Sequence, residues 1–245
     1  MMHARTVGTL TGILFAWTPA FGQTPPDWTG AYRLAVGQAL EGFEPLNLDL
    51  HPVIVAHLQP WAKTKMEATD GVADDTGQIC QPHGLFRNSQ TATFLWLASP
   101  DKIVIAFGGN IATSGVQRIY FNRQHPRNLL PTWNGHSVGH WEGDTLVVDT
   151  IGFNDKSWLQ VAMEPHTEEA HMIQRIRQVG DGRLLEIQYA VEDRKALTSA
   201  YTYTRYYRKI GESLPENVCN QGLQEWREWR GKALQRLIER ARIVR

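Results

Sequence analysis

Cysteine is scarce in this chain, with only Cys80 and Cys219 among 245 residues. Neither has a second cysteine at ligand spacing, which argues against a zinc site and a catalytic thiol. Charge of one sign is not in excess either: 25 Lys and Arg stand against 25 Asp and Glu, so the chain as a whole presents no basic field for nucleic acid. Beyond the first two dozen residues no apolar run approaches the roughly 20 residues that a membrane helix needs. No internal repeat of about 20 to 50 residues is visible. No glycine-rich loop precedes a helix and no serine sits in a nucleophile elbow, so nucleotide-binding and serine-hydrolase readings have no support.

What is present begins with a leader. Residues 1–22 carry a basic start at Arg5, an apolar middle from Val7 to Phe21 and small residues at Ala20-Phe21-Gly22, the grammar of a cleaved signal peptide. Residues 23–221 are then expected to form one domain and 222–245 a terminal helix. The mature protein is expected in the periplasm or secreted, without an integral membrane segment. In such an oxidising compartment two lone, distant cysteines are expected to pair, Cys80 with Cys219. By the chain-entropy argument, closing so long a loop stabilises by about 5 kcal/mol.

After the leader, "DWTGAYRL" reads as a turn into a short strand, the way lipocalin-like barrels often begin. Residues 42–55 read as irregular, and "LQPWAKTKMEA" as a short helix with Pro60 near its start. From Thr91 the pattern is that of strands. "TATFLWLAS" and "KIVIAFGG" form a hairpin with runs apolar enough to be buried on both faces. "VQRIYFNR" is a further strand. "RLLEIQYAVE" alternates Leu185, Ile187, Tyr189 and Val191 with Glu186, Gln188 and Ala190. "YTYTRYYR" sets Tyr201, Tyr203, Arg205 and Tyr207 on one face. Eight or nine strands joined mostly by short turns predict an all-β fold, an antiparallel lipocalin-like barrel flanked by a short N-terminal helix and a C-terminal amphipathic one. In that last helix Trp226, Trp229, Ala233, Leu237, Ala241 and Val244 share a stripe, with seven Lys and Arg against three Glu over residues 222–245.

The chemistry concentrates in "GHSVGHWEGDTLVVDTIGF", a hairpin turning at Gly143. A two-residue turn, Glu142-Gly143 or Gly143-Asp144, puts His136, Val138 and His140 on one face with Thr145, Val147 and Asp149. Ser137, Gly139, Trp141, Leu146, Val148 and Thr150 take the other. Polar groups among valines suit the inward face of a barrel with a small-molecule cavity. His136 and His140 stand roughly 13 Å apart on a regular strand, whereas zinc-bound nitrogens converge within about 2 Å of one ion, so no metal is expected. An acid/base role fits better, with Asp149 fixing the tautomer of His136 or of a histidine on another strand. Downstream, Asn154 offers an oxyanion or hydroxyl donor, and His166 follows Pro165 in a loop.

At "SVGHWEGDTLVVDTIGFNDKSWL" and the following "PHT", the chain resembles a large family of exported, functionally uncharacterised bacterial β-rich proteins. The likeness runs from "QPWAK" through the Cys-x-Pro-x-Gly segment at Cys80 to "VCN" at Cys219. It implies a secreted β-rich domain and carries no reaction. Ser137, Trp141, Gly143, Asp144, Asp149, Asn154, Trp158 and His166 match the family pattern. His140 stands where the family has arginine, and Gln174 where it has glutamate. His166, Asp149, His136 and Asn154 are therefore the catalytic candidates, with His140, Trp141 and Trp158 as ligand contacts. The expected function is acid/base chemistry on a small molecule, a lyase, isomerase or hydrolase step without a cofactor. A non-catalytic binding protein or an envelope-associated structural protein is the alternative.

Overall fold

The computed structural model describes residues 26–43, 46–71, 73–91, 93–108, 115–211 and 214. The leader, Cys219 and the terminal helix lie outside the described residues. Nine strands follow one another round a closed barrel. They are β1 (Gly30–Leu34), β2 (Thr93–Ala98), β3 (Lys102–Gly108), β4 (Gly115–Phe121) and β5 (His136–Glu142). β6 (Thr145–Ile151), β7 (His171–Val179), β8 (Leu184–Glu192) and β9 (Tyr201–Ile210) complete the set. Pairing of β1 with β9 closes the ring, leaving no long sheet edge to template aggregation.

The fully antiparallel expectation is corrected at one seam: β4 and β5 run parallel, with Ile119, Tyr120 and Phe121 opposite Ser137, Val138 and Gly139. The connection explains it. Tight turns serve the antiparallel β2–β3, β5–β6 and β7–β8 neighbours, whereas residues 122–135 form a long link that returns the chain before β5 begins, as parallel neighbours require. At this seam the strands pack closely. A Cβ on Gly139 would lie 2.7 Å from Ile119 Cγ2, so only a residue without a side chain fits there.

The alternation read from β8 holds: Leu185, Ile187, Tyr189 and Val191 are buried in the main core. Phe94, Trp96, Ile103, Ile105, Ile119, Met172 and the tyrosines of β9 join them. Burial of β2 on both faces is not observed, since Leu97 points outward and is 44 % exposed. Helix α2 (Pro60–Ala68) forms where it is expected, with proline in its first turn. Helices α1 (His51–His57) and α3 (Gly84–Thr91) arise in segments where no helix is expected from the sequence. They form because one end of the barrel needs a cover. Phe86 of α3 packs on Phe153 with ring centroids 4.5 Å apart, Ser89 Oγ lies 2.6 Å from Tyr203 Oη, and Tyr207 Oη donates to the Ser89 carbonyl at 2.9 Å. Among the described residues no helix is long and apolar enough to cross a membrane.

Candidate functional site

The β5–β6 hairpin has the two-residue Gly143-Asp144 turn, pairing Glu142 with Thr145, His140 with Val147 and Val138 with Asp149. His136, Val138, His140, Val147 and Asp149 therefore share a face, as the parity requires. That face points outward, which corrects the expectation that it looks into the barrel interior. The neighbouring strands decide the matter. Leu146 and Val148 lie with Ile119, Met172 and Ile176 in the core cluster and Trp141 packs against it, and turning this larger apolar surface inward removes more of it from water. The interior keeps a small polar row. Gln117 Nε2 donates to Ser137 Oγ at 3.0 Å and to Gln174 Oε1 at 2.6 Å, and Ser137 Oγ lies 2.8 Å from Thr150 Oγ1. A neutral amide at Gln174 accepts from Gln117 without burying a charge.

On the outer face a chain of titratable groups crosses five elements. His171 Nδ1 lies 2.8 Å from Glu192 Oε1 and its Nε2 2.8 Å from Asp149 Oδ1. The same Asp149 oxygen is 3.4 Å from His125 Nε2, longer than a well-made hydrogen bond. His125 Nδ1 in turn meets His136 Nδ1 at 2.9 Å. His136 stacks on Tyr120, centroids 5.3 Å apart, and the Arg123 guanidinium lies over the Tyr120 ring at 5.3 Å. Asp149 is thus served by His171 and His125, not by His136 or His166 directly. Among the described residues no three His, Cys, Asp or Glu side chains converge in a way that could hold a metal ion.

The environments split the histidines. Hydrogen bonding to Asp149, then to Glu192, holds His171 protonated and raises its pKa to about 9 against the cost of burial. The same bond lowers the Asp149 carboxyl. Burial, reinforced by the charges of His125 and Arg123, lowers His136.

His166 is 1 % exposed and lies in the segment that covers the barrel end. Its Nε2 accepts from Ser157 Oγ at 2.8 Å and its Nδ1 donates to the Thr167 carbonyl at 3.1 Å. Burial pushes its pKa down to about 4. The His166–Asp149 dyad is therefore not built, because the two side chains are committed to different partners. Asn154 Oδ1 accepts from the Lys156 backbone N–H at 3.2 Å, a local turn contact. Trp158 donates to the Asp74 carbonyl at 3.2 Å, with Lys65 Nζ 5.6 Å from its ring.

Stability should therefore peak near neutral pH. His166 folds with a pKa of about 4, below the 6.5 or so of free imidazole. Its neutral form stabilises the fold fully above that value, and about 3 kcal/mol is lost as pH falls towards 4. His171 folds with a pKa of about 9. Its stabilisation is complete below about 6.5 and is lost as pH rises through 9, by about 2 kcal/mol after allowing for partial solvent screening. Melting temperature against pH checks this: His171→Gln should flatten the alkaline limb, and an acid limb unchanged by His166→Gln would contradict the assignment.

A ligand-sized cleft of about 740 Å³ lies at the opposite end of the barrel, lined by Trp28, Trp96, Trp141, Ile103 and Phe121 together with Arg123, Val138 and His140. It opens where Asn122, in left-handed backbone (φ 53), turns the chain away after β4 while β5 continues to Glu142. Trp28 packs edge-on against both Trp96 and Trp141, at 5.4 and 5.1 Å. His140 Nε2 lies 3.1 Å from Glu142 Oε1, and Glu142 Oε2 accepts from Arg175 Nη2 at 2.9 Å.

Of the residues singled out in the sequence, the structure brings His140 and Trp141 to the cleft and His136 and Asp149 to the adjoining outer face. Trp28, Trp96, Arg123, His125 and Glu192 carry no individual sequence signal. His125 arrives through the long link after β4, and the tryptophans meet only because the barrel closes. No family model matches this chain, and no curated protein is detectably similar to it.

Proposed function

We propose that this is an exported, lipocalin-like barrel that takes a small, flat, apolar molecule into the tryptophan cleft and performs acid/base chemistry on it at the outer rim. The reading includes removal of the leader near Gly22, a periplasmic or secreted location and a Cys80–Cys219 disulfide. The observation that carries it is the cleft itself. Three indole rings supply a large apolar, aromatic wall, and a few polar groups at one edge, Arg123 and His140 among them, would orient a ligand. The same segments, 121–125 and β5, also carry the imidazole chain, so binding surface and titratable groups adjoin. A purely binding protein would use the same cleft and leave the imidazoles idle.

The naphthalene dye 1-anilinonaphthalene-8-sulfonate provides a direct test, its rings suited to the indoles and its sulfonate to Arg123. Trp141→Ala should weaken its binding at least about tenfold, or 1.4 kcal/mol, as read by fluorescence titration at a temperature where the variant is folded. Trp158→Ala, away from the cleft, should leave the affinity unchanged. Equal affinities for wild type and Trp141→Ala would remove the cleft as the binding site.

A further inference from the structure

We infer that His125 and His136 form a proton relay backed by Asp149, with the Nε2 atom of His136 as the acid/base that meets a ligand at the outer lip of the cleft. The inference rests on the function proposed above and names the group that does its chemistry.

The relay assigns the ring states from the acceptors that each ring faces. Among the described residues His125 Nε2 is buried without a hydrogen-bond partner and faces Asp149 Oδ1 at an ion-pair distance of 3.4 Å; a carboxylate only accepts, so the relay places the hydrogen of His125 on this nitrogen. In neutral His125 the Nδ1 is then a bare acceptor. The contact between the two Nδ1 atoms, at 2.9 Å, needs one proton, and His136 supplies it. That leaves His136 Nε2 without hydrogen, and among the described residues no hydrogen bond occupies it.

Position follows from the strand. His136, Val138 and His140 are successive outward residues of β5, each roughly 7 Å from the next, and Val138 and His140 line the cleft. A flat molecule extending past Val138 meets His136.

The proton traffic balances. When His136 Nε2 takes a proton from a ligand carbon or phenol oxygen, the C–H or O–H bond breaks and its electron pair stays on the ligand. The Nδ1 proton of His136 passes to His125 Nδ1. His125 becomes the imidazolium, next to the Asp149 carboxylate, and His136 returns to neutrality. The charge thus leaves the vicinity of Arg123, where a cation is disfavoured, and comes to rest where a carboxylate meets it. The other facing groups suit this direction. Tyr120 stacks on His136, while His171, clamped between Asp149 and Glu192, holds the carboxylate in place.

Two measurements on the mature protein test it. Nitrogen-resolved NMR of the imidazoles at pH 8 should find His136 protonated on Nδ1, the minor tautomer of a free histidine side chain. His125→Ala should return it to the ordinary Nε2-protonated form. An ordinary tautomer in the wild type, unmoved by His125→Ala, would overturn the relay whether or not any ligand binds. The second uses 5-nitro-1,2-benzisoxazole, a flat aromatic probe whose ring opens when a base removes its C3 proton. The C–H electrons form the nitrile, the N–O bond breaks and a phenolate leaves. Wild type should turn this probe over at least tenfold faster than His136→Ala or His136→Gln, with Asp149→Asn reduced about threefold to tenfold. His57→Ala, on α1 with its ring bonded to the Val53 carbonyl of its own helix, should stay within twofold. Full activity in His136→Ala, or loss confined to His140→Ala, would refute His136 as the base. Naphthalene-dye affinity separates the two readings: dye binding without probe turnover defeats the catalytic step alone, and no dye binding defeats the cleft while the tautomer still decides the relay.

Discussion

Replacing Asp193 by alanine lowers stability by about 4 kcal/mol and the melting temperature by about 10 °C. Asp193 is 2 % exposed and sits just after β8, where its two carboxylate oxygens accept four hydrogen bonds. Oδ1 takes the Thr167 hydroxyl and the Lys195 and Ala196 N–H groups, each at 3.0 Å. Oδ2 takes the Thr167 N–H at 2.6 Å. Hydrogen bonds to a buried charged group each contribute about 1.5–3 kcal/mol, and their loss strands the donors. The consequence travels, because Thr167 supplies the carbonyl that receives His166 Nδ1–H, and His166 in turn holds Ser157. Asp193→Asn keeps the Oδ1 acceptor and sets an amide against the Thr167 N–H, so about half the loss is expected. Chemical denaturation measures both. A change below about 1 kcal/mol for alanine would mean that the covering segment is held elsewhere.

The second large effect is at Arg205, fully buried on β9. Its Nε donates to the Gln90 carbonyl at 2.9 Å, and Nη1 donates to the Asn47 and Thr204 carbonyls, each at 2.9 Å. The guanidinium carbon lies 5.1 Å from the Tyr203 ring centroid. Among the described residues no carboxylate pairs with it, so this cation is stabilised by carbonyl dipoles and an aromatic face. Arg205→Ala is expected to cost about 4–5 kcal/mol, through a cavity and the carbonyls left without donors. Arg205→Met restores most of the volume but none of the donors, and should recover about half. Recovery to wild-type stability in the methionine variant would show that volume alone mattered and that the carbonyl clamp is dispensable.

These two residues mark the limit of what periodicity conveys. Arg205 is visible as one member of an alternating stripe with Tyr201, Tyr203 and Tyr207, but that stripe reads as packing beneath the terminal helix ahead of a cavity wall. Its partners, Gln90 and Asn47, lie more than a hundred residues away in the chain. Asp193 carries no signal, since a carboxylate after a strand is an ordinary turn residue until the segment around Thr167 folds against it. The hairpin shows the same division. Two-residue-turn parity placed His136, His140 and Asp149 on one face, because side-chain alternation is a local property of any strand. It could not say whether that face looks in or out.

The sequence by itself determined the β-rich architecture, the helix at Pro60, the facing parity of the β5–β6 hairpin and the grouping of imidazoles with a carboxylate. Each of these depends on residues close together in the chain, through turn chemistry, strand period and proline geometry. Tertiary structure alone decided the parallel β4–β5 seam, the outward aim of the histidines, the choice of His171 and His125 as partners of Asp149 and the meeting of Trp28 with Trp96 and Trp141. Barrel closure sets these, because the strand faces that together bury more apolar surface turn inward, and only then do distant side chains acquire neighbours.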